Sequence, residues 1–204
     1  MSETLTIGEM TLSAYADALA AKQPVPGGGA ASAVVLAQAA ALGSMVIAYT
    51  KGKKAFAAHE DRLARLADLL TAAREEALLL ADRDAAAYLA LNALWKLGPE
   101  ERIKSPGFAA ALDEAIAAPQ TIADLALATL AALRSLDGAT TSMLRSDLVI
   151  ASRLAHAALE GGLLNVEANL PSLTDLARTT ALRELVKSRR AEATSLVIGA
   201  AARA

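Results

Sequence analysis

The chain has 204 residues, 54% hydrophobic but only 3% aromatic, with a net charge of −2. That length suits a single domain with a sizeable core, and the charge excludes the basic footprint of a nucleic-acid binder. No cysteine is present, which excludes a disulfide framework, a thiolate nucleophile and a cysteine metal site.

The apolar content is largely Ala and Leu, strong helix formers, while β-branched and aromatic strand formers are scarce. This predicts an all-α fold over residues 1–204: a compact bundle of long antiparallel helices around a buried, Ala-rich central helix. The first ten residues, MSETLTIGEM, carry acids rather than a basic segment before an apolar one, unlike a secretory signal. A cytoplasmic protein is expected.

In chain order, Thr11 is a candidate cap for a first helix with Leu12, Tyr15 and Leu19 on one face. Pro24 predicts its end near Gln23. The stretch Pro24-Val25-Pro26-Gly27-Gly28-Gly29 then opens a run without charge to Thr50, long enough to span a membrane. Gln38, two serines, many alanines and no flanking Trp favour a buried core helix over a membrane span. Gly52, among Lys51, Lys53 and Lys54, predicts its stop.

From Phe56 to Leu97 the pattern is amphipathic, as one long helix or two with a bend. Gly98, Pro99, Ser105, Pro106 and Gly107 predict a loop. A helix from Phe108 meets Pro119, which either kinks it or opens a successor. Asp137 and Gly138 mark the next break. A helix from about Ser146 is expected to weaken or bend at Gly161 and Gly162 and to end at Pro171. A last helix follows from Leu173. No repeat or low-complexity linker divides the chain.

Five groups of residues have chemical potential. Gly27, Gly28 and Gly29 ahead of a helix suit an anion or polar ligand through free N–H groups, or else a tight turn packed under another helix. They form no Walker loop, since no Gly-Lys-Ser/Thr follows at the required spacing. Lys51, Lys53 and Lys54 form either a solvated helix end or a dock for carboxylates. Asp82 and Asp84 interrupt an Ala- and Leu-rich stretch; two apart on a helix, they do not share a face. At most one follows the apolar stripe, and if buried it becomes a candidate acid or base with a raised pKa. Ser146 and Asp147 read as a helix N-cap. Asn165 and Asn169, four apart, share a helix face and either hold a polar heterocycle or satisfy backbone near Pro171. The two histidines, His59 and His156, have no ligand-like spacing, and no metal site is expected.

Taken in order, these motifs resemble one family: the bacterial methenyltetrahydrofolate cyclohydrolases and the deaminase domain of formiminotransferase-cyclodeaminase. The resemblance begins at Pro24-Val25-Pro26-Gly27-Gly28-Gly29 and continues through Thr50-Lys51-Gly52-Lys53-Lys54 and Asp82-Arg83-Asp84 with Tyr88. It then takes in Ser146-Asp147, Asn165-Val166 and Asn169. Three places depart from the family pattern: Leu97-Gly98-Pro99-Glu100, the missing Gly-Asn ahead of Ser146, and Ala30 where Ser is common.

The resemblance implies an all-α, homodimeric, folate-binding enzyme without metal or redox cofactor. It implies hydrolysis of methenyltetrahydrofolate to formyltetrahydrofolate, with cyclodeaminase ring closure or non-catalytic folate binding as alternatives. It also implies Asp147 as first candidate for the acid/base, with Asp82 or Asp84 assisting. Substrate contacts are expected from Pro26, Gly27, Gly28 and Gly29, from Asn165 and Asn169 at the pterin edge with Ser146, and from Lys51, Lys53 and Lys54 at the glutamate tail. No membrane or nucleic-acid partner is expected. Cyclohydrolase is preferred because the sequence shows no formiminotransferase domain to supply a formimino substrate.

Overall fold

Alanine-rich helices can approach one another closely, and the bundle is built on such approaches. The computed structural model describes residues 6–199. The first and last five residues, including half of the segment read above as unlike a leader, lie outside the described residues. The described residues form seven α-helices and no strand: α1 Leu12–Ala20, α2 Gly28–Ala48, α3 Glu60–Leu94, α4 Pro99–Lys104, α5 Phe108–Leu136, α6 Arg145–Asn169 and α7 Leu176–Leu196. The all-α bundle is therefore as expected.

Helix α2 is the centre. It packs against α3, α6 and α5, while α5 in turn packs against α6 and α3, and α7 lies across α5 and α6. Ala30, Ala33, Leu36, Ala39, Ala40 and Val46 of α2 are fully buried. A side chain at Gly43 would overlap Leu133 of α5 and Leu70 of α3, so three helices converge at that point. Both α2 and α5 are long and apolar enough to cross a membrane, yet the apolar face of each is spent on these helix contacts.

Thr11 caps α1 as expected, its side chain accepting from the Ala14 N–H at 3.2 Å. The helix stops at Ala20, three residues before Gln23, and none of its residues is buried. The amphipathic stretch is one unbroken helix, α3, preceded by a 3-10 segment from Lys54 to His59. The Gly98–Gly107 stretch, expected as loop, contains the short helix α4, with Pro99 in its first turn. Such placement suits proline, whose missing N–H is free there anyway.

Two further expectations are corrected, at Pro119 in part and at Ser146. Pro119 does not open a successor but sits inside continuous α5, the place the kink alternative gave it. Helix α6 runs on through Gly161 and Gly162, which are contact points, as described below. Ser146 is not an N-cap: α6 begins at Arg145 after a 3-10 turn, Leu144 holds the cap position, and no side chain caps it. Asp147 lies in that first turn, where a carboxylate suits the helix dipole.

Candidate active site

Helices α2 and α6 run antiparallel. A side chain at Gly28 would touch the Asn165 amide at 3.5 Å, and one at Gly161 would meet Ser32. The start of α2 therefore lies beside the end of α6, and the start of α6 beside the end of α2. At the first of these ends is a cavity of about 220 Å³, lined by Pro24, Val25, Gly27, Gly28 and Gly29, by Asp84 and Tyr88 of α3, by Ala115 of α5, and by Asn165 and Asn169 of α6.

Asp84 is its one carboxylate. The carboxyl group lies against the first turn of α2, so close that a side chain at Gly29 would sit 2.1 Å from its Oδ1. A side chain there would displace the carboxyl from this position. Burial pushes the Asp84 carboxyl up from 3.8 to about 6, against the lowering effect of the Ala30 N–H that it accepts from. Desolvation outweighs one charge-assisted hydrogen bond here because Asp84 has no ion-pair partner among the described residues. Its neighbour Arg83 turns instead to Glu114 of α5, at 2.5 and 3.2 Å, and that bond draws the Glu114 pKa down.

Asp82 faces elsewhere, as spacing of two on a helix requires. Its Oδ1 accepts the Ile7 N–H at 2.9 Å and so ties the N-terminal 3-10 turn (Ile7–Glu9) to α3. Of the two aspartates, Asp84 is the one directed into the site and Asp82 holds structure.

The two amides are anchored on backbone. Asn165 Nδ2 donates to the Gly161 carbonyl at 2.8 Å. Asn169 Nδ2 donates both to the Ala115 carbonyl at 2.8 Å and to the Asn165 carbonyl at 3.0 Å. Pro26 follows a cis Val25–Pro26 bond and is half-buried, but it is not part of the cavity wall. Tyr88, opposite the amides, packs its ring edge-on to Trp95 with centroids 6.0 Å apart.

The remaining expected site residues lie at the other end. Lys51, Lys53 and Lys54 are exposed beyond the C-terminus of α2. Twenty residues of helix separate Gly28 from Ala48, about 30 Å at 1.5 Å per residue. Ser146 and Asp147 open α6, and roughly 30 Å of helix lies between them and Asn165–Asn169. Within one chain, the structure thus brings together Gly27, Gly28, Gly29, Asp84, Asn165 and Asn169. It does not bring Lys51, Lys53, Lys54, Ser146 or Asp147 to them.

Pro24, Val25 and Ala115 were missed by sequence reasoning, and Tyr88 was noted without a role. The first two adjoin the glycines and were within reach of that motif. Ala115 enters only through the pairing of α5 with α6, which no local pattern announces.

What fold and site define is an all-α bundle whose cavity confronts a ligand with one raised-pKa carboxylate, backbone-anchored amides and a glycine-opened helix start. Residues 11–188 match the family model for formiminotransferase-cyclodeaminase. Over 171 residues, 82% of this chain, it is 32% identical to rat formimidoyltransferase-cyclodeaminase, of which the match covers 32%. It is 29% identical over 177 residues to the methenyltetrahydrofolate cyclohydrolase of Methylorubrum extorquens, covering 83% of this chain and 84% of that one. The crystal structure of formiminotetrahydrofolate cyclodeaminase from Thermotoga maritima superposes with a TM-score of 0.86 at 27% identity, over 94% of this chain and 93% of that one. The chain belongs to the formiminotransferase-cyclodeaminase family. It spans about a third of the length of the rat formimidoyltransferase-cyclodeaminase it matches.

Proposed function

We propose that this chain is a folate one-carbon enzyme that hydrolyses methenyltetrahydrofolate to formyltetrahydrofolate, with Asp84 as the acid/base. The observation that supports the reading most is a half-buried carboxylate with its pKa near 6, facing a cavity that it shares with two backbone-anchored amides. A general base works best when its pKa lies near the working pH. The methenyl bridge is cationic, and an ionised carboxylate in a partly desolvated pocket offsets that charge.

In the proposed reaction, Asp84 takes a proton from water as the water oxygen bonds to the methenyl carbon. The tetrahedral carbon then collapses: its hydroxyl proton passes to the departing ring nitrogen, one carbon–nitrogen bond breaks, and the formyl group forms. One proton is released overall. The cavity, at about 220 Å³, is below the usual range for a whole ligand of this size. It takes the reacting heterocycle, and the tail lies outside.

The reading moves the acid/base role from Asp147 to Asp84. Lys51, Lys53, Lys54, Ser146 and Asp147 reach such a cavity only if a second chain presents them. A homodimer, which the family resemblance implies, is the simplest assembly of that kind, and mass measurement in solution tests it.

The second reading is the cyclodeaminase reaction, in which a formiminofolate closes to the methenyl form and expels ammonia. The match along nearly the whole length of the Thermotoga cyclodeaminase favours it, and protonated Asp84 would then donate to the leaving nitrogen. Supplying each substrate separately decides: loss of methenyl absorbance supports hydrolysis, whereas its gain with ammonia release supports deamination. Folate binding without turnover of either substrate would leave only a binding protein, and no folate binding at all would reject both reactions.

A further inference from the structure

A proline inside a helix leaves one carbonyl, four residues back, without its usual N–H donor. In α5 that carbonyl belongs to Ala115, and Ala115 is part of the cavity wall. The missing donor is replaced from another helix: Asn169 Nδ2 donates to the Ala115 oxygen at 2.8 Å. Its second N–H goes to the Asn165 carbonyl at 3.0 Å. With both hydrogens committed to carbonyls, the amide has one orientation, since the flipped form would set Oδ1 against two carbonyl oxygens.

The two helices are held at the distance this needs. A side chain at Gly162 would lie 2.8 Å from the Pro119 carbonyl and 3.1 Å from the Ala123 nitrogen, so α6 and α5 meet backbone to backbone there. Asn169 is seven residues further along α6, two turns on and on the same face.

We propose that Pro119 is a positioning residue for the site: it frees the Ala115 carbonyl to hold Asn169, whose Oδ1 is thereby fixed as an acceptor for the N–H groups of an amino-substituted heterocycle. That ligand class rests on the folate reading above; the coupling of Pro119 to Asn169 does not. Alanine at 119 has an N–H that satisfies Ala115 within α5, so the anchor loses its purpose while α5 remains a helix.

The test uses the full-length Pro119→Ala, Asn169→Ala and Asn169→Asp variants and the Pro119→Ala/Asn169→Ala double variant. Circular dichroism first checks that each is helical. Without ligand, hydrogen exchange of the Asn169 side-chain amide is followed by NMR in wild type and Pro119→Ala. Protection is expected to fall about ten-fold or more, and unchanged protection would overturn the coupling. Affinity for 5-formyltetrahydrofolate is then measured by calorimetry. A lost anchoring hydrogen bond predicts about three- to ten-fold weaker binding for Pro119→Ala. In the Asn169→Ala background the same substitution is expected to add nothing. Additive losses would contradict the positioning role. Asn169→Asp keeps an acceptor but loses both donors, so it is expected to bind as poorly as Asn169→Ala; wild-type affinity would overturn the need for the anchor. If the wild-type protein binds no folate, the ligand class fails while the exchange result still decides the coupling.

Discussion

The two ends of the α2–α6 pair differ in how they treat polar groups. At one end Asp84, Asn165 and Asn169 are half-buried and set against backbone: the Ala30 N–H and the carbonyls of Gly161, Ala115 and Asn165. At the other, Lys51, Lys53 and Lys54 stand in solvent with Ser146, and Asp147 follows in an ordinary helix first turn. Both ends are rich in motif-like residues. At the first, folding free energy is spent on keeping the Asp84 carboxylate partly dry, and that environment changes what the side chain can do.

The sharpest way to break this contrast is to remove one carboxylate at each end. Asp84→Asn is expected to lower kcat/KM for the accepted folate substrate by about 10²- to 10⁴-fold, the usual range for a positioned acid/base. Asp147→Asn is expected to cost less than about ten-fold, and steady-state kinetics on both variants compares the ends directly. The same Asp84 variant makes an opposite prediction for stability. Between the ordinary value of 3.8 and about 6 the folded chain holds a proton that the unfolded chain has lost. Stability therefore falls as pH rises through that window. Above it, ionised Asp84 costs on the order of 2 kcal/mol after allowance for its partial exposure. Asp84→Asn should thus melt higher than wild type at pH 8, with the gap closing towards pH 4; thermal melts across that range check it.

The next effect separates a functional glycine from a structural one. Gly29→Ala forces the Asp84 carboxyl to move. A displacement of about 1 Å can cost roughly 10² in rate, with little change in Tm because a flexible carboxyl can swing aside. Gly162→Ala instead meets the backbone of α5. It is expected to lose about 1–3 kcal/mol of stability by overpacking, measured by urea unfolding.

The smallest effect is at the solvated end. Replacing Lys51, Lys53 and Lys54 together by Ala should shift stability by less than about 0.5 kcal/mol. Any rise in KM should diminish as salt is added, which kinetics at low and high ionic strength would show.

The fold was legible because composition and punctuation act locally. Alanine and leucine set the helices, Thr11 caps one, and Gly52 and Gly138 adopt the positive φ that ends others. The site was legible in part. The glycine turn and the amide pair each follow from spacing, but spacing could not choose between Asp82 and Asp84. That choice depends on Ile7, 75 residues away, which takes Asp82, and on the start of α2, which takes Asp84. Pro119 was read as a kink or a boundary because a chain pattern shows the missing donor and not its replacement from α6. Gly161 and Gly162 were read as weak points for the same reason, since the neighbours that need them small belong to α2 and α5.

The most direct test of the central claim is the pH dependence of kcat/KM with methenyltetrahydrofolate, for wild type, Asp84→Asn and Asp147→Asn. Asp84 acting as base predicts a limb that rises through about pH 6 in wild type and in Asp147→Asn, and that disappears in Asp84→Asn. A limb that survives in Asp84→Asn, or vanishes in Asp147→Asn instead, would contradict the account.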